Sequence, residues 1–591
     1  MTKLIGELKM YRKESILAPL LKFAEAALEL TVPIVVADII DIGINGGGGK
    51  HYVVMRSLLL LLLGIIGLGF SIAAQYFAAK AAVGVAANMR SRLFSKIQSL
   101  SFSSLDKCGT STLLTRMTSD VNQVQTGINM ALRLLLRAPV VVFGAMIAAF
   151  FIDVRSAVTF AVAIPVLLII VYAVMYFTIP MYRKVQSKLD RVLGLTRENL
   201  SGSRVIRAFC REDEEIREYD DANNYLTVYQ LKVGRISAIM SPATYVVINL
   251  AIIWLIHTGA IRVDGGIITQ GALIALYNYM LQILTELIKL ANLIITITKA
   301  IASANRIYSV FDIDGTDGDI ARNAVSATSE HSNGLSPAVP SYECAVEFRN
   351  VSLNYNNAGE NALENISFKI PKGSSFGIIG GTGSGKSSVI GLIPRFYDAT
   401  EGEVLVNEKK VDNYPVKELR RLSAVVMQKA VLFKGTIREN LLWGNADASE
   451  DDINEAVKAA QAENVVASKN GGLDAAVEQN GRNFSGGQRQ RLTIARALVR
   501  RPEILILDDR SSALDFATEA ALRSAVGNLP YGPTVITVSQ RASAVMHSDR
   551  ILVLNEGKCA GIGTHEELLK SCDIYREIYN SQFESGAGRN E

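Results

Sequence analysis

Apolar runs long enough to cross a membrane alternate with charged stretches through the first half of the chain. Residues 57–79 carry no charged side chain. At about 1.5 Å per residue, a helix of that length crosses the roughly 30 Å hydrocarbon layer of a bilayer. Further charge-poor runs lie at 138–152, 156–182, 236–261 and 265–285. Each of these runs predicts a membrane-spanning helix.

A weaker apolar run at 15–37 contains Lys22, Glu25 and Glu29. Counted with the others, it predicts six transmembrane helices. The alternative for this run is an amphipathic helix on the membrane surface, because the three charges dilute the apolar signal.

Basic side chains concentrate in residues 1–14, 80–133 and 183–235, and Lys and Arg favour the cytoplasmic side of a membrane. We therefore expect a multi-pass protein of the cell membrane with both termini in the cytoplasm. The long inner loops are polar but helix-forming, so the helices are expected to extend far beyond the bilayer. The links expected on the outside are 39–55, 153–155 and 262–264.

Composition supports a membrane protein. The chain has 591 residues, of which 49% are hydrophobic and 20% charged, and its mean hydropathy is +0.23; soluble proteins average about 25% charged residues. The formal net charge of +4 is too small to indicate a nucleic-acid partner. The five cysteines have no metal-site spacing, and the polar N-terminus is unlike a signal peptide.

The composition changes in the second half of the chain. Residues 316–342 are rich in Gly, Ser, Asn and Ala with little apolar periodicity, which is typical of a linker. The residues after them alternate predicted strands and helices. We therefore expect a transmembrane domain at 1–315, a linker at 316–342 and a soluble domain at 343–585.

A glycine-rich segment between the strand-like FGII and the helix-like SVIGLI matches GxxxxGK[ST] in the setting that this motif requires. In such loops backbone N–H groups surround phosphates, the lysine reaches the β and γ oxygens, and the hydroxyl after it ligates Mg²⁺. The fold class is therefore a multidomain membrane protein, with an all-α transmembrane domain of six long helices followed by an α/β P-loop NTPase domain. The phosphate-binding residues are predicted to be Gly380, Gly381, Thr382, Gly383, Ser384, Gly385, Lys386, Ser387 and Ser388.

Two further segments fit a nucleotide site. The apolar run 504–507 ends in Asp508, whose carboxylate at a strand end is suited to hold Mg²⁺ together with Ser387. Ser485, Gly486, Gly487 and Gln488 precede a helix-like stretch. Ser485 is a good N-cap, and a helix N-terminus attracts phosphate. The alternative for this segment is an ordinary capped helix.

The order of these elements resembles an ABC transporter half-molecule of the exporter type over nearly the whole chain. The resemblance implies that ATP and Mg²⁺ are bound and that Tyr355 stacks on adenine, although a tyrosine at a strand end is often a core residue. It also implies that Gln428 senses Mg²⁺. Segments near 105–116 and 200–212 correspond to the helices that couple the two domains, and Ser512 to Asp515 match the D-loop.

Two positions depart from the family pattern. The residue after Asp508 is usually a glutamate that polarises the attacking water, but here it is Asp509. Its side chain is shorter by about 1 Å, and a misplacement of that size can cost about 10²-fold in rate. After the last core strand the family usually has a histidine near the γ-phosphate, but here it is Gln540, which carries no charge near neutral pH.

In the family, each ATP site combines the Walker motifs of one subunit with the signature of the other. Because the signature at 485–488 is intact, we expect a heterodimer in which this chain completes a competent site on a second half-transporter. That partner should carry the missing glutamate and histidine. The alternatives are a slow homodimeric exporter, or an ATP-gated channel or regulator that does not pump.

The transported molecule stays open between a small molecule (including drugs), a lipid and a peptide. Five polar or aromatic residues interrupt the apolar runs, and they either line a cavity or bond between helices. They are Asn249, Tyr245, Tyr277, Asn278 and Gln282.

Overall fold

A computed structural model of the chain describes residues 2–313, 342–355, 359–508 and 515–583. The chain forms two compact units. The first lies within residues 1–95 and 111–312, and the second within residues 96–110 and 313–591. Nearly all of the linker expected at 316–342 falls outside the described residues, and so does Asp509.

The first unit is helical. Among the described residues, five stretches have the length and composition to cross a membrane, namely Gly49–Ser99, Thr110–Ile152, Val154–Ala208, Glu212–Asp264 and Gln270–Phe311. At about 1.5 Å per residue, the 55 residues of Val154–Ala208 span about 80 Å, far more than a bilayer of roughly 30 Å. This confirms the predicted helical domain with extensions beyond the membrane. Its α-helices are α1 (Thr2–Leu8), α2 (Arg12–Asp38), α3 (Gly49–Ser99, continuing into the second unit), α5 (Thr110–Thr115), α6 (Val121–Leu134), α7 (Arg137–Ile152), α8 (Val154–Ala208), α9 (Glu212–Asp264) and α10 (Gln270–Phe311).

The weak apolar run at 15–37 forms α2, which has 27 residues and is long enough for a sixth span. Two of its charges turn inward: Lys22 is only 4% exposed and lies on the face that carries fully buried Ala18 and Ala26, and the Glu25 side chain is 13% exposed. An amphipathic surface helix would present its charged face to water. The buried charge therefore favours α2 as a part of the helical domain.

The helix breaks do not coincide with every predicted link, since α3 already begins at Gly49 within the link 39–55. The break expected at 262–264 lies at 265–269, because α9 continues to Asp264 and α10 begins at Gln270. Gly266 has φ +66, a conformation that glycine adopts without strain. The Thr269 side chain accepts a hydrogen bond from the Ala272 N–H and caps the new helix.

Close contacts hold the helices of the first unit together. The Tyr279 hydroxyl of α10 donates a 2.6 Å hydrogen bond to the Leu30 carbonyl of α2. A Cβ added at Gly127 of α6 would lie 2.2 Å from the Ala300 Cβ of α10, so only glycine allows these helices to approach so closely. Small residues serve this purpose in many membrane helix pairs.

In the part of the second unit that the structure describes, the chain forms three sheets and short helices. The six-stranded sheet has the order β12-β11-β3-β10-β9-β6 and the four-stranded sheet the order β2-β1-β4-β5, while β7 pairs with β8. The strands are β1 (Cys344–Leu353), β2 (Leu363–Pro371), β3 (Ser375–Gly380), β4 (Glu401–Val406), β5 (Lys409–Lys410), β6 (Ser423–Val426), β7 (Gly435–Thr436), β8 (Ala476–Val477), β9 (Ile504–Asp508), β10 (Thr534–Ser539), β11 (Arg550–Asn555) and β12 (Lys558–Gly563).

The helices of the second unit cover the sheets and include one from the first half of the chain, α4. They are α4 (Phe102–Cys108), α11 (Lys386–Leu392), α12 (Val416–Leu422), α13 (Ile437–Leu442), α14 (Glu450–Ala459), α15 (Glu463–Ala467), α16 (Gly486–Leu498), α17 (Phe516–Gly527), α18 (Ala542–Val545), α19 (His565–Ser571) and α20 (Asp573–Phe583). The strands of the large sheet supply an almost continuous apolar core: all five residues of β9 are buried. This is the pattern of a parallel sheet covered on both faces.

Candidate nucleotide site

The motif residues meet at one edge of the six-stranded sheet. β3, β10, β9 and β6 run parallel, so their carboxyl ends share an edge, which is where α/β proteins bind ligands. Val538 of β10 pairs with Ile378 on one side and with Asp508 on the other. Gln540 and Gln428 follow the ends of β10 and β6. The sheet therefore brings together residues that lie far apart in the sequence.

The loop after β3 has the backbone conformation of a phosphate cradle. Gly383 and Gly385 have φ +80 and +93, values that strain other residues. A Cβ at Gly385 would also lie 2.8 Å from the Ala362 carbonyl oxygen. Substitution there is therefore excluded both by conformation and by space.

Lys386 begins α11 and folds back over the loop. Its ammonium donates to the Gly380 carbonyl at 2.9 Å and to the Gly381 carbonyl at 2.5 Å, and the residue is 8% exposed. The three residues Gly381 to Gly383 are exposed. A buried cation beside an exposed glycine-rich turn fits a triphosphate, because the ammonium can exchange carbonyl oxygens for phosphate oxygens of greater charge.

Two oxygen groups fit a divalent cation. Asp508 ends the buried strand β9 and is 7% exposed, while Ser387 is exposed in the first turn of α11. Carboxylate and hydroxyl oxygens are the ligands that Mg²⁺ accepts when it also binds phosphate. These are the residues of the described chain that would hold the cation, together with Gln428.

Tyr355 lies beside the phosphate loop. Its hydroxyl donates to the Ser388 Oγ of α11 at 3.0 Å, and its ring meets the Tyr397 ring edge-on with centroids 5.0 Å apart. Burial raises the pKa of the Tyr355 hydroxyl above its usual value. Tyr355 is half-buried and packs against the core, and its stacking on adenine stays a prediction.

The SGGQ segment forms a capped helix start. The Ser485 hydroxyl accepts from the Gln488 N–H at 3.3 Å, and the Gln488 side chain accepts from the Ser485 N–H at 3.0 Å. Ser485 and Gly486 are exposed, whereas Phe484 is buried. A capping box satisfies two N–H groups of the first turn, and the exposed start of the 13-residue helix presents the positive end of its dipole.

Of the D-loop match at Ser512 to Asp515, Asp515 lies within the described residues. Its carboxylate caps α17 by accepting from the Thr518 N–H at 3.1 Å. Hydrogen bonds from Thr518 hold the pKa of this carboxyl below its usual value. Asp515 therefore positions the start of α17 in the second unit.

Gln540 is held by a residue that the sequence did not reveal. The Gln582 Nε2 of α20 donates to the Gln540 carbonyl at 2.9 Å, and the Gln582 Oε1 accepts from the Ala542 N–H. The Gln540 side chain is exposed. Gln582 lies 42 residues further along the chain, and no local motif marks it.

Helix α4 docks on the second unit. The Tyr397 hydroxyl donates to Asp106 Oδ2 at 2.7 Å, and the Phe102 and Phe396 rings stack with centroids 4.3 Å apart. The guanidinium of Arg420 lies over both phenylalanine rings. The docked helix, Phe102–Cys108, begins three residues before the segment 105–116 predicted from the sequence.

The second predicted coupling segment, 200–212, belongs to the first unit and covers the end of α8, the turn at 209–211 and the first residue of α9. Cys210 has φ +52, and within the described chain Leu200 and Phe209 are 75% and 74% exposed. Large apolar side chains exposed at a turn indicate a contact surface.

Residues 15–287 match the protein family described as ABC transporter transmembrane region, and residues 363–512 match the family described as ABC transporter. The chain is 34% identical over 583 residues to the uncharacterised ABC transporter ATP-binding protein YfiB of Bacillus subtilis (strain 168), covering 99% of each. It is 31% identical over 518 residues to an ATP-dependent lipid A-core flippase of Syntrophus aciditrophicus (strain SB), covering 86% of this chain and 83% of the flippase.

A putative multidrug export ATP-binding/permease protein of Bacillus subtilis (strain 168), YgaD, is 30% identical over 587 residues, with 97% of this chain and 98% of that protein covered. Among solved structures, a bacterial Atm1-family ABC exporter with ATP bound superposes with a TM-score of 0.78 at 23% identity, covering 98% of both chains. At that identity, the likeness concerns the fold.

Proposed function

Because this chain belongs to the ABC transporter family, we propose that it is the degenerate-site subunit of a heterodimeric exporter. It is an ATP-driven half-transporter of the exporter type, a multi-pass membrane protein whose nucleotide-binding domain couples ATP hydrolysis to transport. Such exporters function as dimers. The observation that carries the proposal is the pairing of Asp509 and Gln540 with an intact, exposed signature at Ser485 and Gly486.

The nucleotide is proposed to lie along the carboxyl edge of the large sheet. Backbone N–H groups of 381–386 and the Lys386 ammonium bind the phosphates, and Tyr355 packs against the adenine ring. Ser387, Gln428 and Asp508 hold Mg²⁺, which neutralises charge on the β and γ phosphates. The proposal is supported by the positions of Asp508 at the end of β9, Gln428 after β6, and Lys386 and Ser387 at the start of the helix after β3.

Hydrolysis at this site is proposed to be slow because neither Asp509 nor Gln540 is suited to the catalytic role that the family gives to its position. Asp509 carries its carboxylate about 1 Å short of the position a glutamate reaches, and general-base catalysis is worth about 10²–10⁴-fold. Gln540 offers an amide where the family has an imidazole, so it can donate a hydrogen bond but cannot hold a proton. The site therefore holds bound ATP and cleaves it only slowly.

The signature of this chain is proposed to serve the partner's nucleotide. At the start of α16, the N–H groups of Ser485 and Gln488 are hydrogen-bonded to each other's side chains. The other N–H groups of the first turn are proposed to bind an anion. An intact signature in a chain with a defective site of its own is useful chiefly to a second chain. We propose that the second chain carries the glutamate and the histidine.

The orientation is proposed to place both termini in the cytoplasm of a cell, with the protein in the cell membrane. ATP is found in the cytoplasm, so the nucleotide-binding domain must lie there, and the basic segments 80–133 and 183–235 agree with that side. The cargo is proposed to be a small molecule, a lipid or a peptide.

The chain expressed without a partner should bind ATP but hydrolyse it very slowly, on the order of 10²-fold below a competent exporter. The reason is that both of its sites would then combine a good signature with Asp509 and Gln540. The measurement is the ATPase rate of the purified homodimer, with ATP binding checked separately by equilibrium dialysis. Turnover of several molecules per second, roughly the rate of ordinary enzymes, would support the alternative of a homodimeric exporter.

The second alternative, a non-pumping channel or regulator, predicts an ionic current across a membrane into which the protein has been reconstituted. A channel passes many ions for each ATP, so single-channel currents in a planar bilayer would identify it. ATP-dependent accumulation of a cargo without such currents supports the exporter.

Substituting Tyr397→Phe should weaken the communication between ATP hydrolysis and transport. The change keeps the ring but removes the hydrogen bond to Asp106 of α4, and hydrogen bonds to charged groups contribute roughly 1.5–3 kcal/mol. We expect ATP binding to stay within about twofold and cargo moved per ATP to fall about tenfold. The measurement is the ratio of transport to ATP hydrolysis in proteoliposomes.

The matched control is Tyr414→Phe. Its hydroxyl donates to the Val406 carbonyl within the same unit at 2.9 Å, so the control also removes one tyrosine hydroxyl bond but leaves α4 untouched. An equal loss of coupling in both variants would mean that general loosening of the unit, rather than the contact with α4, is responsible.

A further inference from the structure

Six charged side chains lie together inside the first unit, on helices expected to cross the membrane. This charge cluster consists of Lys22, Glu25 and Glu29 of α2, Arg137 of α7, and Glu286 and Lys289 of α10; the side chains of Glu29 and Lys289 are partly exposed. Lys22 and Glu286 are 4% and 3% exposed. Charged groups at membrane depth are costly, and they are usually paired or functional.

Arg137 joins the carboxylates of the cluster. Its two terminal nitrogens lie 2.8 Å from Glu25 Oε1 and 2.7 Å from Glu29 Oε2, and its Nε lies 3.5 Å from Glu286 Oε1 without hydrogen-bond geometry. Lys289 donates to the same Glu286 oxygen at 2.8 Å. The three positive and three negative groups balance, so the cluster as a whole is neutral.

A cavity of about 410 Å³ opens beside the cluster between α2, α7 and α10. Asn278 and Gln282, two of the polar residues that interrupt the apolar runs, line it together with Glu29 and Glu286. Its remaining wall is largely apolar, formed by side chains such as Val32, Val36, Val141 and Leu281. The cavity thus joins an apolar pocket to a small polar patch, which is the usual composition of a small-molecule site.

Two oxygens of this polar patch are left without a donor. Glu286 Oε2 and Gln282 Oε1 are buried and, within the part of the chain that the structure describes, have no hydrogen-bond partner. A buried acceptor without a donor is unfavourable. Both residues line the cavity, so a ligand there can supply the missing donors.

The two unpaired oxygens fix the kind of ligand. The lining residues Glu29, Glu286 and Lys289 are balanced by Arg137, which lies against both carboxylates. Both unpaired oxygens are acceptors and one belongs to a carboxylate, so they disfavour an anion and accept most strongly from a charged N–H donor. A cation that bears N–H groups therefore satisfies both oxygens.

We propose that this cavity binds a primary ammonium ion carried on a compact apolar body. The ammonium donates to Glu286 Oε2 and Gln282 Oε1, and the apolar body packs against Val32, Val36 and Val141. That the bound amine is also the exported cargo rests on the proposed export function, whereas the binding site itself does not.

The test compares two probes that share one apolar body. 1-Adamantylammonium has three N–H donors, and its N,N,N-trimethyl derivative has the same charge and none. With the full-length protein in its dimeric assembly in lipid nanodiscs without nucleotide, calorimetric titration should show the primary amine binding at least about tenfold more tightly, because lost hydrogen bonds to charged groups cost about that factor. Equal affinities would overturn the proposal.

The variant Gln282→Leu keeps the size of the side chain and takes no part in the ion pairs. It should weaken binding of the primary amine about tenfold and leave the trimethyl probe within about twofold. Glu286→Gln should weaken both probes, because it removes the charge that either one meets. Where Glu286→Gln fails to fold, Gln282→Leu decides the question.

The matched control on the same helix is Thr298→Val. The Thr298 hydroxyl already donates to the Ile294 carbonyl and lies outside the cavity, so the affinity for both probes should be unchanged. A loss as large as that of Gln282→Leu would overturn the assignment to the cavity.

Different results would contradict the proposed heterodimeric exporter and the proposed amine site. Selective amine binding that Gln282→Leu abolishes supports the site even if the chain alone hydrolyses ATP rapidly, a result that overturns only the heterodimer. Failure of ATP-driven uptake of the amine into inside-out proteoliposomes, while binding persists and another cargo is pumped, overturns the assignment of the amine as cargo.

Discussion

Gly486→Asp in this chain should lower ATP hydrolysis by the assembled heterodimer about a hundredfold or more, although it leaves every Walker residue of both chains unchanged. Gly486 is the first residue of α16 and is exposed beside the capping serine. A carboxylate there faces the partner's γ-phosphate with like charge, and loss of a single preorganised electrostatic contact costs about 10²–10³-fold.

The substitution is chosen so that folding is preserved. An acidic side chain in the first turn interacts favourably with the helix dipole, and the capping bonds between Ser485 and Gln488 do not involve the Gly486 position. We therefore expect an unchanged melting temperature together with the loss of activity. The measurement is steady-state ATPase of the purified pair, with thermal unfolding recorded on the same samples.

The control in the same chain is Asp509→Asn, which should change the rate within about twofold because that carboxylate contributes little to hydrolysis. Replacing the partner's expected glutamate by glutamine should nearly abolish it. If Asp509→Asn is as damaging as Gly486→Asp, both sites hydrolyse, and the proposed division between a holding site and a cleaving site is wrong.

The double substitution Asp509→Glu with Gln540→His should raise the ATPase rate of this chain alone about a hundredfold. Each change restores one group of the hydrolytic site: a general base with the longer reach and an imidazole near the γ-phosphate. In a homodimer the intact signature is supplied by the second copy, so no further residue should be required. The measurement is ATPase of the purified homodimer before and after the substitutions.

Lys386→Ala added to the restored chain is the control for that gain. Lys386 is a buried cation at the start of α11, and removing it should weaken triphosphate binding and return the rate to background. A restored chain that stays slow while it still binds ATP would show that the defect lies outside positions 509 and 540. That outcome contradicts the explanation offered for the slow site.

The motifs of the nucleotide site could be read from the sequence because each is contiguous. The turn at Gly383 and Gly385 must adopt left-handed backbone angles that are best suited to glycine, so the chemistry leaves a local trace. The same holds for Ser485 and Gln488, whose capping box spans three residues. The apolar runs likewise predicted the spanning helices, since hydropathy follows directly from composition.

Contacts between distant residues left no such trace. In the sequence, three charges only weaken the apolar run at 15–37; they are Lys22, Glu25 and Glu29. The folded chain shows that Arg137 pairs with Glu25 and Glu29 and also lies beside Glu286. Gln582 holds the Gln540 backbone from α20, and α4 docks by Asp106 on Tyr397 across 291 positions. A glutamine or an aspartate is ordinary by itself, so its partner cannot be inferred from its neighbours.

The sequence by itself determined that this protein has a helical membrane domain, a nucleotide-binding domain and a phosphate-binding loop. These depend on hydropathy, periodicity and local backbone geometry, which short segments encode. Only the tertiary structure decided that α4 belongs with the nucleotide-binding unit, that Lys22 of α2 is buried, and that Glu286 and Gln282 share a cavity. The physical reason is that burial and pairing of a side chain depend on which surfaces pack together, and that is a property of the folded chain as a whole.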